Sequence, residues 1–356
     1  MTTMTSKQRV LVACEFRRPD RVPRYDSFWE YTDPWRARFG PSEGLTDLEI
    51  IVPDEGTFPT RKGVIRQDGE FTYSVNSWGQ TIRTRNDAYF YEVIDSPMKP
   101  GTDIDAVQFD PPDLDERFFL RKESLQAGME HVRAMQSKLC VFGKTGGPYL
   151  RSTFIRGEAD FLMDIAGDAP LAKAIADKMA DHLIGVAAAQ VRRWGLQDTG
   201  VWIFDDMAYN HGPMFSPESF EKVFLDAYRR MIKAYKAAGA KYVFLHSDGN
   251  IMPLLDMLVD AGIDGLNPLE RRAGMDITAI RKRYPRLILV GGMDNCETLV
   301  QGPPDRIRRE AMEIIDLARE GGVVIGAHSI GPDISMDNFD VYHQTCLNCG
   351  MFGVQQ

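Results

Sequence analysis

The chain has 356 residues, and its 42 basic and 51 acidic side chains give a formal charge of -9. That length suits one large α/β domain or two smaller ones, and the acidic balance gives no electrostatic footprint for nucleic acid. No apolar run reaches the roughly 18 residues of a membrane helix, the start MTTMTSKQR is unlike a secretion signal, and five cysteines, an odd number, fit reduced thiols in a cytoplasm.

Residues 1–130 are irregular and rich in Pro, Asp and aromatics. Residues 22–28 read as a first strand. Residues 69–85 read as a β-hairpin around Asn76-Ser77-Trp78-Gly79. Prolines and acids over 95–115 predict a surface crossing. From 131 onward the rhythm is regular, with strands expected at 139–142, 201–204, 242–245, 265–267, 287–290 and 323–325. Helical patterns lie between them. The pattern at 170–194 is Ala-rich, and that at 217–238 starts with Ser216 as N-cap and Pro217 at N1. Those at 251–261 and 305–319 stop at Gly262 and Gly321-Gly322.

Strands alternating with helices build a parallel sheet. Six such units, the strand at 22–28 and an eighth strand hidden in the first third predict an α/β fold, a (β/α)8 TIM barrel. The expected organisation is one domain over 1–356, with an irregular extension and β-hairpin on 1–130 and regular units on 131–356. No G-x-G-x-x-G follows a first strand, which argues against an open dinucleotide-binding sheet.

Polar clusters at the strand ends would share one face, where barrels carry their chemistry. Gly143-Lys144-Thr145 looks like the end of a phosphate loop, but the required earlier glycine is replaced by Lys138. Lys144 is instead expected to face the pocket as a fixed cation. Phe204-Asp205-Asp206-Met207 offers two carboxylates pointing to opposite sides. Asp205, at the strand end, is the expected acid, base or substrate-binding group, with Asp206 in second place.

His246 and Asp248 lie two apart, on one side of an extended segment, and form a two-point metal clip. His328 after the last strand would be a third ligand. Two imidazoles and a carboxylate leave an open position, as in catalytic zinc or facial-triad iron sites. The alternative is a pair of hydrogen-bonded pocket histidines serving as acid or base. Glu270 reads either as a further ligand or ligand-orienting group, or as a salt-bridge partner of Arg271 or Arg272. Phe28, Trp29, Trp78, Tyr149, Tyr209 and Met293 supply apolar material of the kind that lines small-molecule sites. Cys346 and Cys349 form a lone C-x-x-C that reads as helix packing rather than a zinc knuckle.

The runs LHSDGNIMPLLDMLVDAGIDGLNPLERRAGMDITAIRKRYPRLILVGGMD and GGVVIGAHSIGPDISMDN resemble the uroporphyrinogen decarboxylase superfamily, with weaker likeness in DDMAYNHGPMFSPESF and RRPDRVP. The resemblance implies a TIM barrel with its site at the strand ends. It also implies either tetrapyrrole decarboxylation or zinc-dependent methyl exchange with a corrinoid protein, in some members from methoxylated aromatics. The zinc methyltransferases use an H-x-C pair and a later cysteine. Here His246-x-Asp248 and His328 stand nearest, a harder set suited to polarising oxygen. The decarboxylase proper has a G-H-G pattern, of which Ala327-His328-Ser329 keeps the histidine, and an N-terminal Q-A-G-R element that VPRYDSFWEY lacks.

A polycarboxylate substrate needs several pocket arginines, whereas Phe28-Trp29 suits a smaller aromatic one. The expected function is methyl transfer or demethylation on a small methylated or methoxylated substrate. Zinc or another divalent ion and a corrinoid carried by a partner protein are the implied cofactors, in a cytoplasmic chain; the sequence itself is silent on pairing, and a homodimer is implied by the resemblance alone. The alternatives are a metal-free decarboxylase with Asp205 as acid and a non-catalytic binder of tetrapyrrole or corrinoid.

Overall fold

The computed structural model describes residues 3–88 and 90–353. In chain order, β1 (Leu48–Ile51) is followed by β2 (Gly63–Asp68), β3 (Phe71–Val75), β4 (Thr81–Arg85) and β5 (Tyr91–Asp95), then by β6 (Cys140–Gly146) and β7 (Gly200–Phe204). A two-residue pair, β8 (Ala208–Tyr209) and β9 (Gly212–Pro213), precedes β10 (Tyr242–His246), β11 (Gly265–Asn267), β12 (Ile288–Gly292) and β13 (Val323–Gly326). Strands β1, β6, β7, β10, β11, β12 and β13 form one parallel sheet in that order.

Residues 22–28 bridge the two edges of this sheet. The Tyr25 N–H donates to Ile325 O (2.8 Å) and the Ser27 N–H to Ala327 O (3.0 Å), while Arg24 O accepts from the Asp47 N–H (2.8 Å). The predicted first strand therefore sits between β13 and β1, held by isolated bridges, and Pro23 has no N–H to extend a ladder. The hidden eighth strand is β1.

The strands are apolar on both faces because both faces are covered. One set of alternate residues, including Phe142, Trp202, Phe244, Val290 and Val324, fills the barrel with Val10 and Cys14 of helix Ser6–Cys14. The other set, including Val141, Ile203, Val243, Leu289 and Ile325, packs with the core beneath the helices. Helix Ser6–Cys14 is pinned by Arg9, which reaches Asp20 and Asp47 at 2.7 Å each.

Helix Ala169–Trp194 ends at left-handed Gly195, and Met252–Ala261 ends at left-handed Gly262. The helix expected over 217–238 is two, Pro217–Val223 and Leu225–Ala237, divided at Phe224. The expected hairpin is the β3–β4 centre of a four-stranded antiparallel sheet, whose edge strands β2 and β5 the sequence reading missed. Trp78 in its turn meets the Phe154 ring at 5.3 Å. Helices Ser6–Cys14, Asp33–Phe39 and Leu125–Gln136 were also missed. Cys346 and Cys349 lie in helix Met336–Cys349, packed as expected. Among the described residues no helix is long and apolar enough to cross a membrane.

Candidate metal centre

The interior rows of the barrel end in polar groups. On β10, His246 continues the row of Tyr242 and Phe244. Asn267, the last residue of β11, pairs with it across the ladder. The Asn267 Nδ2 donates to Val290 O (2.9 Å), so its Oδ1 is the atom left to face His246 Nδ1 at 2.5 Å. This network assigns the imidazole proton to Nδ1 and a lone pair to Nε2.

That lone pair faces acids. His246 Nε2 lies 3.5 Å from Asp248 Oδ1 and 3.8 Å from Asp206 Oδ1. His328 Nε2 is 3.3 Å from the same Asp248 oxygen and 3.9 Å from Glu270 Oε1. Asp248 Oδ1 is buried without a hydrogen-bond partner. The His328 nitrogen is near enough to feel its charge without satisfying it. A buried carboxylate oxygen set against a lone pair is costly unless a cation lies between them. Ligand atoms of Asp206, His246 and Asp248 all fall within 4.8 Å of one another, and imidazole and carboxylate donors are those zinc and non-haem iron take. The residues fit a divalent ion.

Protonation states agree. Burial pushes the His246 pKa down, against the pull of Asp248 and Asp206. Burial works to raise Asp248, but His328, His246 and Arg272 outweigh it and leave the carboxyl below its usual range. A neutral imidazole and an ionised carboxylate are the forms that bind metal.

The surrounding groups hold this arrangement. The Asp248 N–H donates to Asp206 Oδ1 (3.2 Å), and the Gly249 N–H donates to Glu270 Oε2 (2.6 Å), so Glu270 pins the turn that carries Asp248. Its other oxygen lies 3.5 Å from Arg272. Phe204, the last residue of β7, stacks on the His246 ring at 4.1 Å and 18°. Asn267→Ala is expected to weaken metal binding by roughly 10- to 100-fold, since it frees the imidazole to turn and change tautomer. Competition against a chromophoric chelator measures this, and an unchanged affinity would remove Asn267 from the role.

The structure moves several expected residues away from this centre. Asp205 is a correction. It is fully buried and points to the helical layer, where it accepts from the Leu150 N–H (2.6 Å), the Tyr228 hydroxyl (2.7 Å) and the Tyr149 N–H (3.2 Å). Burial, only partly opposed by those donors, pushes its pKa up to about 7. Asp206 is the acid that faces the histidines. Tyr149 is likewise core, ringed by Phe161, Phe215 and Phe224, and Met293 is buried in the outer core.

Phe28 packs with Tyr31, Trp35 and Phe339. Trp29 is exposed and, with Trp35, Phe90, Ile330 and Pro332, lines a cavity of about 460 Å³ just past His328. Tyr209 lies half exposed on β8. Lys144 is inside the barrel, because β6 runs on to Gly146 rather than stopping at 142. The sequence reading missed Phe204 and the role of Asn267, and their only signal was a strand-end position on the row of the histidines.

A family model described as Uroporphyrinogen decarboxylase (URO-D) matches residues 79–348. Among curated proteins, the chain is 25% identical over 216 residues to the methylcobamide:CoM methyltransferase MtaA of Methanosarcina barkeri, covering 60% of each chain. It is 23% identical over 193 residues to the methylcobamide:CoM methyltransferase MtbA of Methanosarcina acetivorans, covering 53% of this chain and 54% of that one. The match thus spans little more than half the length of these relatives. Among solved structures, a methyltransferase from Methanosarcina mazei superposes with a TM-score of 0.67 at 18% identity, covering 97% of this chain and 99% of that one. This likeness extends the shared fold to nearly the whole molecule.

Proposed function

The chain belongs to the uroporphyrinogen decarboxylase family, and on that premise we propose that it is a metal-dependent methyltransferase. It moves a methyl group between a small substrate and a corrinoid carried by a partner protein. The observation that carries this reading is the unsatisfied Asp248 oxygen between two imidazoles. The names of the two curated relatives support the corrinoid side.

His246, Asp248 and His328 would hold the ion, zinc by the resemblance, with Asp206 in reach. A divalent ion held there supplies Lewis acidity, polarising a leaving oxygen or lowering the pKa of a bound thiol. The chain's own residues do the rest. Asn267 keeps the lone pair of His246 turned toward the acids, Phe204 blocks one face of the ring, and Glu270 fixes the turn at Asp248. The Trp29 cavity supplies apolar walls for a methylated or methoxylated compound. The metal-free decarboxylase reading rested on Asp205 as acid, and three donors hold that carboxyl away from the barrel mouth.

Elemental analysis before and after dialysis against chelator tests the proposal. About one zinc or iron per chain is expected, together with methyl transfer from methylcobalamin to a thiol, or from a methoxylated aromatic to reduced cobalamin. Activity should vanish with the ion and return on adding it. Full activity in metal-free protein would sink this reading.

A further inference from the structure

We propose that a slot in the barrel wall, between residues 25–28 and β1, binds a small organic cation, a primary ammonium, on the carboxylate of Glu49. The slot lies apart from the metal centre, and the proposal does not depend on the methyl-transfer reading.

The slot exists because one ladder stops early. On the β13 side, residues 22–28 are bonded along their length through the Tyr25, Ser27, Ile325 and Ile330 N–H groups. Toward β1 their one described backbone bond is the Asp47 N–H to Arg24 O, and none links 25–28 to 48–51. The opening left between them is a cavity of about 200 Å³, walled by Tyr25, Phe28, Tyr31, Leu48 and Glu49. Sites for drug-sized ligands start at roughly 300 Å³, so this one takes something smaller.

Glu49 is the group that lacks a partner. Its Oε1 accepts from the N–H of the next residue, Ile50 (2.9 Å), and its Oε2 has no described hydrogen bond. It makes no described ion pair, although Arg121 and His131 border its other side. Burial pushes its pKa up, opposed by the Ile50 N–H and reinforced by the charge of Glu43. Glu43, on the rim of the slot, is answered by Lys138 at 3.2 Å. Elsewhere the chain pairs its buried acids: Asp20 and Asp47 with Arg9, Asp26 with Arg24, and Glu55 with Arg151. An unpaired carboxylate on an apolar strand is costly, and a cation brought by a ligand reverses that cost.

The rest of the wall selects the kind of cation. Three rings, of Tyr25, Phe28 and Tyr31, offer faces to an ammonium, and Leu48 offers contact to a short carbon chain. The Tyr31 hydroxyl is committed to Gly40 O (2.8 Å), so that residue brings its ring alone. A bare divalent ion is served poorly, since among the described residues no set of three metal-ligating side chains gathers here.

The test follows binding of propylammonium to the full chain by saturation-transfer NMR, with 1-propanol as its neutral match. Propylammonium should bind with a millimolar dissociation constant, and 1-propanol about tenfold more weakly or less. Glu49→Gln keeps the shape of the side chain and removes the buried charge. It should fold normally and weaken propylammonium binding by roughly tenfold or more. Glu43→Gln should leave binding within about twofold, because that acid is exposed and already paired. Magnesium chloride at equal concentration should not displace the amine. No binding in wild type, equal binding of amine and alcohol, or full binding in Glu49→Gln overturns the proposal. So does an equal loss in Glu43→Gln, or displacement by magnesium.

Discussion

Asp248→Asn is expected to strip the bound metal and to lower methyl transfer by about three orders of magnitude or more, with the fold intact. The substitution keeps the shape of the side chain and removes one charge. The folded chain loses little, because Asp248 Oδ1 has no hydrogen-bond partner to give up. The turn stays fixed by the Asp248 N–H on Asp206 and the Gly249 N–H on Glu270. Despite burial, the carboxyl is held below its usual range by His328, His246 and Arg272, so the metal-free variant should stay folded and melt slightly below wild type at neutral pH. The cation, by contrast, loses the one carboxylate that lies within 3.5 Å of both imidazole nitrogens.

His246→Ala should lose metal as well, but it also removes the ring stacked on Phe204 and so mixes a packing cost with the chemical one. Elemental analysis and thermal melts of the asparagine variant separate the two effects. Stoichiometric metal in a well-folded Asp248→Asn protein would refute the ligand assignment.

The sequence made the strand ends legible because a parallel barrel forces long apolar runs that stop abruptly at its mouth, and His246, Asp248 and His328 mark three such stops. It did not reveal which residue of a pair faces inward. In β7, Val201 and Ile203 are as apolar as Trp202 and Phe204, since both faces of the strand are buried. Periodicity therefore cannot tell interior from exterior, and the choice of Asp205 over Asp206 had nothing physical to decide it. The same blindness put Tyr149 in the pocket, whereas Pro148 starts a helix that carries it into the outer core. Lys144 lies on the interior row because β6 continues through Gly143 to Gly146, whereas the sequence reading ended that strand at 142. The hidden strand β1 is only four residues long, and Glu49 interrupts its apolar run. Asn267 was visible only as a residue before a proline, and its role appears once β10 and β11 are set in register.

Asp205→Asn should cost about 1–3 kcal/mol of stability while metal content stays at the wild-type level. The carboxylate gathers the start of helix Pro148–Arg156 and the Tyr228 hydroxyl onto one side chain. An amide matches this poorly, because its NH2 must face a backbone N–H that also donates. The neighbourhood cannot relax around it, since Gly147 lies so close that a β-carbon there would sit 2.2 Å from the carboxyl carbon. Burial pushes the Asp205 pKa up to about 7, above the roughly 3.9 of an unfolded chain. The stability this group adds is therefore full below about pH 4 and is lost as pH rises through 7. The gap in unfolding free energy between wild type and Asp205→Asn should accordingly narrow across that window. Denaturation curves of both proteins from pH 4 to 8 measure it. A constant gap would mean the buried carboxyl is ionised throughout, and an Asn variant of normal stability that cannot transfer methyl groups would return Asp205 to the chemistry.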